Sequence, residues 1–106
     1  MRIEVRTEGG LAYFPGLSKP VIVDSAQLAP ADAAELERRV EDAHFFTLQA
    51  KYSEPPRGAA DYRRYTITIE DAGRRHSVQY TDLDAAPELD SLRRLATELA
   101  HKQGGG

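Results

Sequence analysis

The stretch from Tyr65 to Tyr80 constrains the fold more than any other part of the chain. Tyr65, Ile67 and Ile69 alternate with Arg64, Thr66, Thr68 and Glu70, and His76, Val78 and Tyr80 alternate with Arg75, Ser77, Gln79 and Thr81. A period of two sends each set to one face of a strand. Asp71-Ala72-Gly73 between the runs is a short connection, with Gly73 suited to a left-handed backbone and to a bulge. The two runs therefore read as one antiparallel hairpin. Burial sets its register, because a slip of one residue would turn Ile67, Ile69 and Val78 into solvent.

The rest of the chain supplies strands and cover for that hairpin. Ile3 and Val5 alternate with Arg2, Glu4 and Arg6 in a half-buried strand that Gly9-Gly10 punctuates. Two glycines permit a tight reversal with positive φ, after which Leu11, Tyr13 and Phe14 form a short return before Pro15-Gly16 turns the chain again. Val21-Ile22-Val23 is a further β-branched run closed by Asp24, and Pro20 at its start suits a sheet edge. From Pro30 to about Ala43 the period changes to 3.6: Ala33, Leu36, Val40 and Ala43 share one stripe, and Phe45-Phe46 seals its far end. A second helix is expected from Ala86-Pro87 to about His101, on Leu89, Leu92, Leu95, Ala96 and Leu99. Glu54-Pro55-Pro56-Arg57-Gly58 opposes both helix and central strand and reads as a surface loop. The expected architecture is α+β, an antiparallel sheet of about four strands with two helices packed on one face. Residues 1–103 are expected to form a single domain, with Gly104-Gly105-Gly106 as a flexible tail.

Composition removes several function classes. With 106 residues there is room for one core, and without Cys there is no disulfide, thiol nucleophile or cysteine-built zinc site. The only histidines are His44, His76 and His101, none in an H-E-x-x-H spacing, and they read as a helix-end contact, a strand rim and a favourable charge at a helix C-terminus. Asp82 and Asp84 fall in a turn, Glu37, Glu41 and Asp42 on a helix surface, and no serine sits in a G-x-S-x-G elbow. Neither catalytic residues nor a metal or cofactor are assigned. The pairs Arg38-Arg39, Arg63-Arg64, Arg74-Arg75 and Arg93-Arg94 have acidic neighbours, and the net charge is −3, so they read as solvated faces rather than a nucleic-acid surface. Stacking of bases on Tyr62 and Tyr65 is the weaker alternative. No window approaches the roughly 20 apolar residues that span a bilayer. Met1-Arg2-Ile3-Glu4 lacks the apolar region of a secretion signal, so a cytoplasmic location is expected.

What remains is a surface for another protein. No G-K-[ST] follows Gly9-Gly10, so the pair is not a phosphate loop. It is a plain turn, or it presents Leu11, Tyr13 and Phe14 as an apolar projection that fills a partner's cleft. The Glu54 to Gly58 loop is a passive connection or a second contact.

Gly9-Gly10-Leu11-Ala12 followed by Val21-Ile22-Val23-Asp24 resembles the emfourins, the protealysin-inhibitor family. The resemblance continues through Leu28-Ala29-Pro30, Ala34-Glu35-Leu36 with Val40, and Ala43-His44-Phe45-Phe46-Thr47-Leu48. It also takes in the Asp61 to Tyr80 hairpin with Gly73-Arg74-Arg75-His76, and Pro87-Glu88-Leu89 to Leu92. In the family pattern a Phe follows the paired glycines, where this chain has Leu11. The resemblance implies a small α+β inhibitor of a thermolysin-like zinc metallopeptidase that blocks the active-site cleft. With Gly9-Gly10 as the matched anchor, the apolar-projection reading makes Gly9, Gly10, Leu11, Tyr13, Phe14 and Pro15 the expected partner-binding residues, with Glu54, Pro55, Pro56 and Arg57 as a secondary contact that widens the interface. A non-inhibitory protein-binding module is the alternative.

Overall fold

A computed structural model describes residues 1–9, 20–48, 63–82, 84 and 86–103. Four strands, β1 (Arg2–Gly9), β2 (Val21–Asp24), β3 (Arg63–Asp71) and β4 (Arg74–Thr81), form one antiparallel sheet in the order β2-β1-β3-β4. Two helices, α1 (Pro30–Asp42) and α2 (Pro87–Gln103), complete the expected α+β arrangement. The short β2 takes an edge, where the missing donor of Pro20 at its start disturbs no ladder.

The register places the alternating residues in rows across the sheet. Val23, Ile3, Ile69 and His76 form one row, and Val21, Val5, Ile67 and Val78 the next. Thr7, Tyr65 and Tyr80 follow. This face is the core side: Ile3, Val5, Val23, Tyr65, Ile67, Ile69, Val78 and Tyr80 are all buried. Leu36 and Val40 of α1 and Leu89, Leu92, Ala96 and Leu99 of α2 join the same cluster. The other face carries Arg2, Glu4, Arg6, Arg64, Thr66, Thr68, Glu70, Arg75 and Gln79, none of them buried. Slipping any strand by one residue would exchange these two sets.

Cover over the core face is divided. Helix α2 lies against β2 and β1 and against α1, whereas β4 is covered by the 3-10 turn Phe45–Thr47. Phe45 is buried there, edge-on to Phe46 and to His76, with ring centroids 5.7 and 5.6 Å apart. Before that turn, His44 ends α1 in a left-handed conformation at φ 51, its amide bonded to Glu41 O. Carbonyl release at a helix end commonly uses this geometry. The helix-end contact expected of His44 is thus made by its backbone, while its side chain is exposed.

Asp71 pairs with Arg74 and Glu70 with Arg75, so the β3–β4 turn has two residues and no bulge. Ala72 and Gly73 both have positive φ, 51 and 82, as the hairpin turn that matches strand twist requires. The left-handed Gly73 follows expectation and the bulge does not. Because Ala72 also accepts a left-handed backbone, two residues suffice and no third is needed to restore register.

Candidate functional site

Gly9 is the last residue of β1, and it pairs with Arg63, the first residue of β3. Among the proposed contact residues it is the one within the described part of the chain. Gly10, Leu11, Tyr13, Phe14 and Pro15 lie outside the described residues, as do Glu54, Pro55, Pro56 and Arg57. Gly9 is thus where the described fold meets the first candidate segment, while the second falls in the sequence between Leu48 and Arg63.

A set of polar and aromatic side chains converges behind the Gly9–Arg63 pair. Asp82, just past β4, accepts the Arg63 amide on Oδ2 at 3.1 Å, and its own amide donates to Arg63 O at 3.1 Å. Its other carboxylate oxygen accepts the Tyr65 hydroxyl at 2.7 Å. The Tyr65 and Tyr80 rings lie 5.1 Å apart, and the Arg93 guanidinium stacks on Tyr65 at 4.3 Å. Arg93 Nε donates to the Tyr80 hydroxyl at 3.1 Å, and Arg93 Nη2 to Asp90 Oδ1 at 2.8 Å. Tyr80 also donates to Asp90 Oδ1 at 3.3 Å. Contacts thus run unbroken from α2 to the start of β3.

The electrostatics follow from partial burial. Burial pushes both tyrosines above their ordinary range, and for Tyr65 the hydrogen bond to the Asp82 carboxylate adds to it. For Asp90 burial pulls the other way, yet the Arg93 hydrogen bond, the charges of Arg93 and Arg94 and the Tyr80 hydroxyl together hold its carboxyl below the ordinary 3.8. Burial also works against the charge on Arg93, but the hydrogen bonds and charges of Asp90 and Tyr80 raise its pKa above the ordinary value. Both tyrosines therefore stay neutral donors near neutral pH while Asp90 and Arg93 stay charged.

One sequence expectation changes here, that for Arg93. Arg93 is not on a solvated face: its side chain is 18% exposed, against 74% for its neighbour Arg94. Tyr65 is 6% exposed and faces the helices, so bases cannot stack on it; Tyr62 lies outside the described residues. Asp82, read as a turn carboxylate, is the residue that ties Arg63 to the network. Its signal in the sequence was faint, since only the position of Asp82 one residue beyond Thr81 places it opposite Arg63.

Arg38, Arg74 and Arg75 are exposed as a solvated face requires, whereas Arg39 is half-buried. Arg38 and Arg39 pair with Glu35 at 2.5 and 2.9 Å, and Arg39 also reaches the Ser91 hydroxyl across to α2. The Arg38 and then the Arg39 hydrogen bonds hold the Glu35 carboxyl below its ordinary range. At the far end of β4, Arg74 stacks on Phe46 at 4.1 Å, and His76 Nε2 donates to Leu48 O at 2.8 Å. His76 is thus a packed strand residue rather than a free ligand. Among the described residues no three His, Cys, Asp or Glu side chains come together to hold a metal, and no helix is long and apolar enough to cross a membrane.

No curated protein matches the chain. A solved structure of emfourin (M4in) from Serratia proteamaculans, described as an M4 family peptidase inhibitor, is 20% identical over 91% of this chain and 85% of its own, with a TM-score of 0.34. The model of the family described as Emfourin matches residues 5–97, from the middle of β1 into the second half of α2. By that match over most of its length, the chain belongs to the emfourin family.

Proposed function

We propose that this protein inhibits a thermolysin-like zinc metallopeptidase by occupying its active-site cleft with the segment Gly9 to Pro15, and that Glu54 to Arg57 widens the contact. The supporting observation is the family match over residues 5–97. The sequence resemblance links that family to inhibition of thermolysin-like peptidases. Leu11 or Phe14 would enter the bulky apolar subsite of the enzyme while the flanking segment excludes substrate. The zinc belongs to the peptidase, and the inhibitor brings neither a metal nor a catalytic group.

Magnitudes require more than one anchor. Burying a single Leu or Phe contributes about 1.5–3 kcal/mol, whereas association itself costs about 4–15 kcal/mol. Tyr13, Pro15 and the Glu54 to Arg57 loop must therefore add buried area. Gly9 and Gly10 would act by shaping the segment, not by bonding to zinc.

Titration of a thermolysin-like peptidase with the purified protein tests the reading. Near-stoichiometric suppression is expected, with no metal added to the inhibitor and no zinc lost from the enzyme. Binding without suppression would instead indicate a non-inhibitory docking module. Gly10→Val is expected to weaken inhibition while circular dichroism stays that of the folded protein; unchanged potency would remove loop geometry from the mechanism.

A further inference from the structure

We infer that the outer face of the sheet, opposite α1 and α2, docks a second copy of this chain, packed face to face about a two-fold axis that crosses the strands at Val5 and Ile67. This face carries none of the residues assigned to the peptidase contact, so the dimer stands or falls apart from inhibition.

The alternation that buries Ile3, Val5, Ile67 and Ile69 turns their neighbours outward. Along β1 these are Arg2, Glu4, Arg6 and Glu8, whose charges alternate in sign; along β3 they are Arg64, Thr66, Thr68 and Glu70. None is buried, and Arg2, Arg6, Glu8 and Glu70 are exposed. A face of one sign would repel its own copy. This order does the opposite. A two-fold axis lying in the contact plane and across the strands keeps β1 over β1 and β3 over β3 but reverses their direction. Centred on Val5, it sets Arg2 over Glu8 of the second copy, and Glu4 over Arg6. Ile67 pairs with Val5 in the register, so the same axis sets Arg64 over Glu70. Thr66 then falls over Thr68, and on β4, where Val78 pairs with Ile67, Ser77 falls over Gln79. Every outward charge on β1 and β3 meets its opposite.

An axis parallel to the strands is the competing arrangement. It would set Glu4 and Arg6 over Thr68 and Thr66 and leave both charges without a partner. Ile22, 43% exposed and beside Glu4 on the same face, adds an apolar contact: the axis across the strands carries it toward Pro20, exposed two residues earlier. In the single chain Glu70 meets Arg2 at 3.8 Å and Arg75 at 3.6 Å, and these exposed pairs exchange for contacts across the axis at little cost. Twisted sheets pack face to face with strand directions within about 30°, which this axis permits. Strand spacing makes the patch about 20 Å by about 14 Å, small for a stable interface. The dimer is therefore weak and screened by salt.

Sedimentation velocity of the full chain tests the dimer. In low salt the average mass is expected to rise from that of one chain toward that of two as concentration approaches about 1 mM, and to return to one chain in about 0.5 M salt. Glu4→Arg and Arg6→Glu each set like charges against one another across the axis, and each alone is expected to weaken association about tenfold. Mixed in equal amounts, the two variants are expected to associate again, as is a chain carrying both changes, because either restores opposite charges. Both positions face solvent, so circular dichroism should stay that of the folded protein. One-chain mass of the unmodified protein at every concentration would overturn the dimer. Undiminished association of Glu4→Arg, or a mixture no heavier than its components, would overturn the axis.

Discussion

The two ends of the β3–β4 hairpin are held by different means. At the closed end, Ala72 and Gly73 reverse the chain through backbone geometry, and the charges around them form only loose pairs: Asp71 with Arg74 at 3.6 Å, and Glu70 with Arg75 at 3.6 Å and Arg2 at 3.8 Å. At the open end no turn joins the strands, and Tyr65, Tyr80, Asp82, Asp90 and Arg93 hold them through side chains. A tight turn limits the separation of its strands by covalent connection alone. Where no tight turn joins the strands, noncovalent contacts do that work, and the half-buried Asp90–Arg93 pair lies there.

Substitutions at the two ends should therefore differ, with the core as the reference. Leu92 of α2 is fully buried, and Leu92→Ala is expected to cost about 2–5 kcal/mol in chemical denaturation. An effect near zero would contradict the packing of α2 on the sheet.

At the open end the expected effect depends on pH. The folded protein holds Asp90 below its ordinary value, so the stability it contributes is present above about pH 4 and lost as pH falls through the folded pKa. Denaturation midpoints of the unmodified protein should fall across that acid range, and those of Asp90→Asn should fall less. Parallel profiles would mean that Asp90 adds nothing in its charged form.

The closed end should respond to backbone chemistry. Ala72 is exposed and left-handed, a conformation unfavourable to Ala and tolerated by Asn, so Ala72→Asn is expected to stabilise by about 0.5–1 kcal/mol. Glu70→Gln, which discharges the pairs with Arg2 and Arg75, is expected to shift stability by at most about 0.5 kcal/mol because both partners are exposed. A larger loss from Glu70→Gln than from changes around Asp90 would reverse the contrast between the ends.

Much of the fold was legible because burial follows period. The alternation in β1, β3 and β4 and the stripes Leu36–Val40 and Leu89–Leu99 named the core residues and their faces. Pro20 pointed to an edge, and Gly73 to a left-handed turn. The bulge was misread because a single glycine does not show whether its neighbour also adopts positive φ, as Ala72 does. The side-chain network at the open end was missed for a related reason. Arg93 follows an acidic residue at helical spacing, as any solvated arginine does, and only the sheet register brings Tyr65 and Tyr80 beneath it. Of the candidate contact, Gly9 ends β1, while Gly10 to Pro15 and Glu54 to Arg57 lie outside the described residues.

Hydrogen exchange of the chain in complex with a thermolysin-like metallopeptidase tests the central claim most directly. Protection gained on binding is expected at Gly10 to Phe14, extending to the Glu54 to Arg57 loop, with little change along β2 and α1. Protection confined to those latter elements, with Gly10 to Phe14 exchanging as in the free protein, would contradict the proposed way of blocking the enzyme.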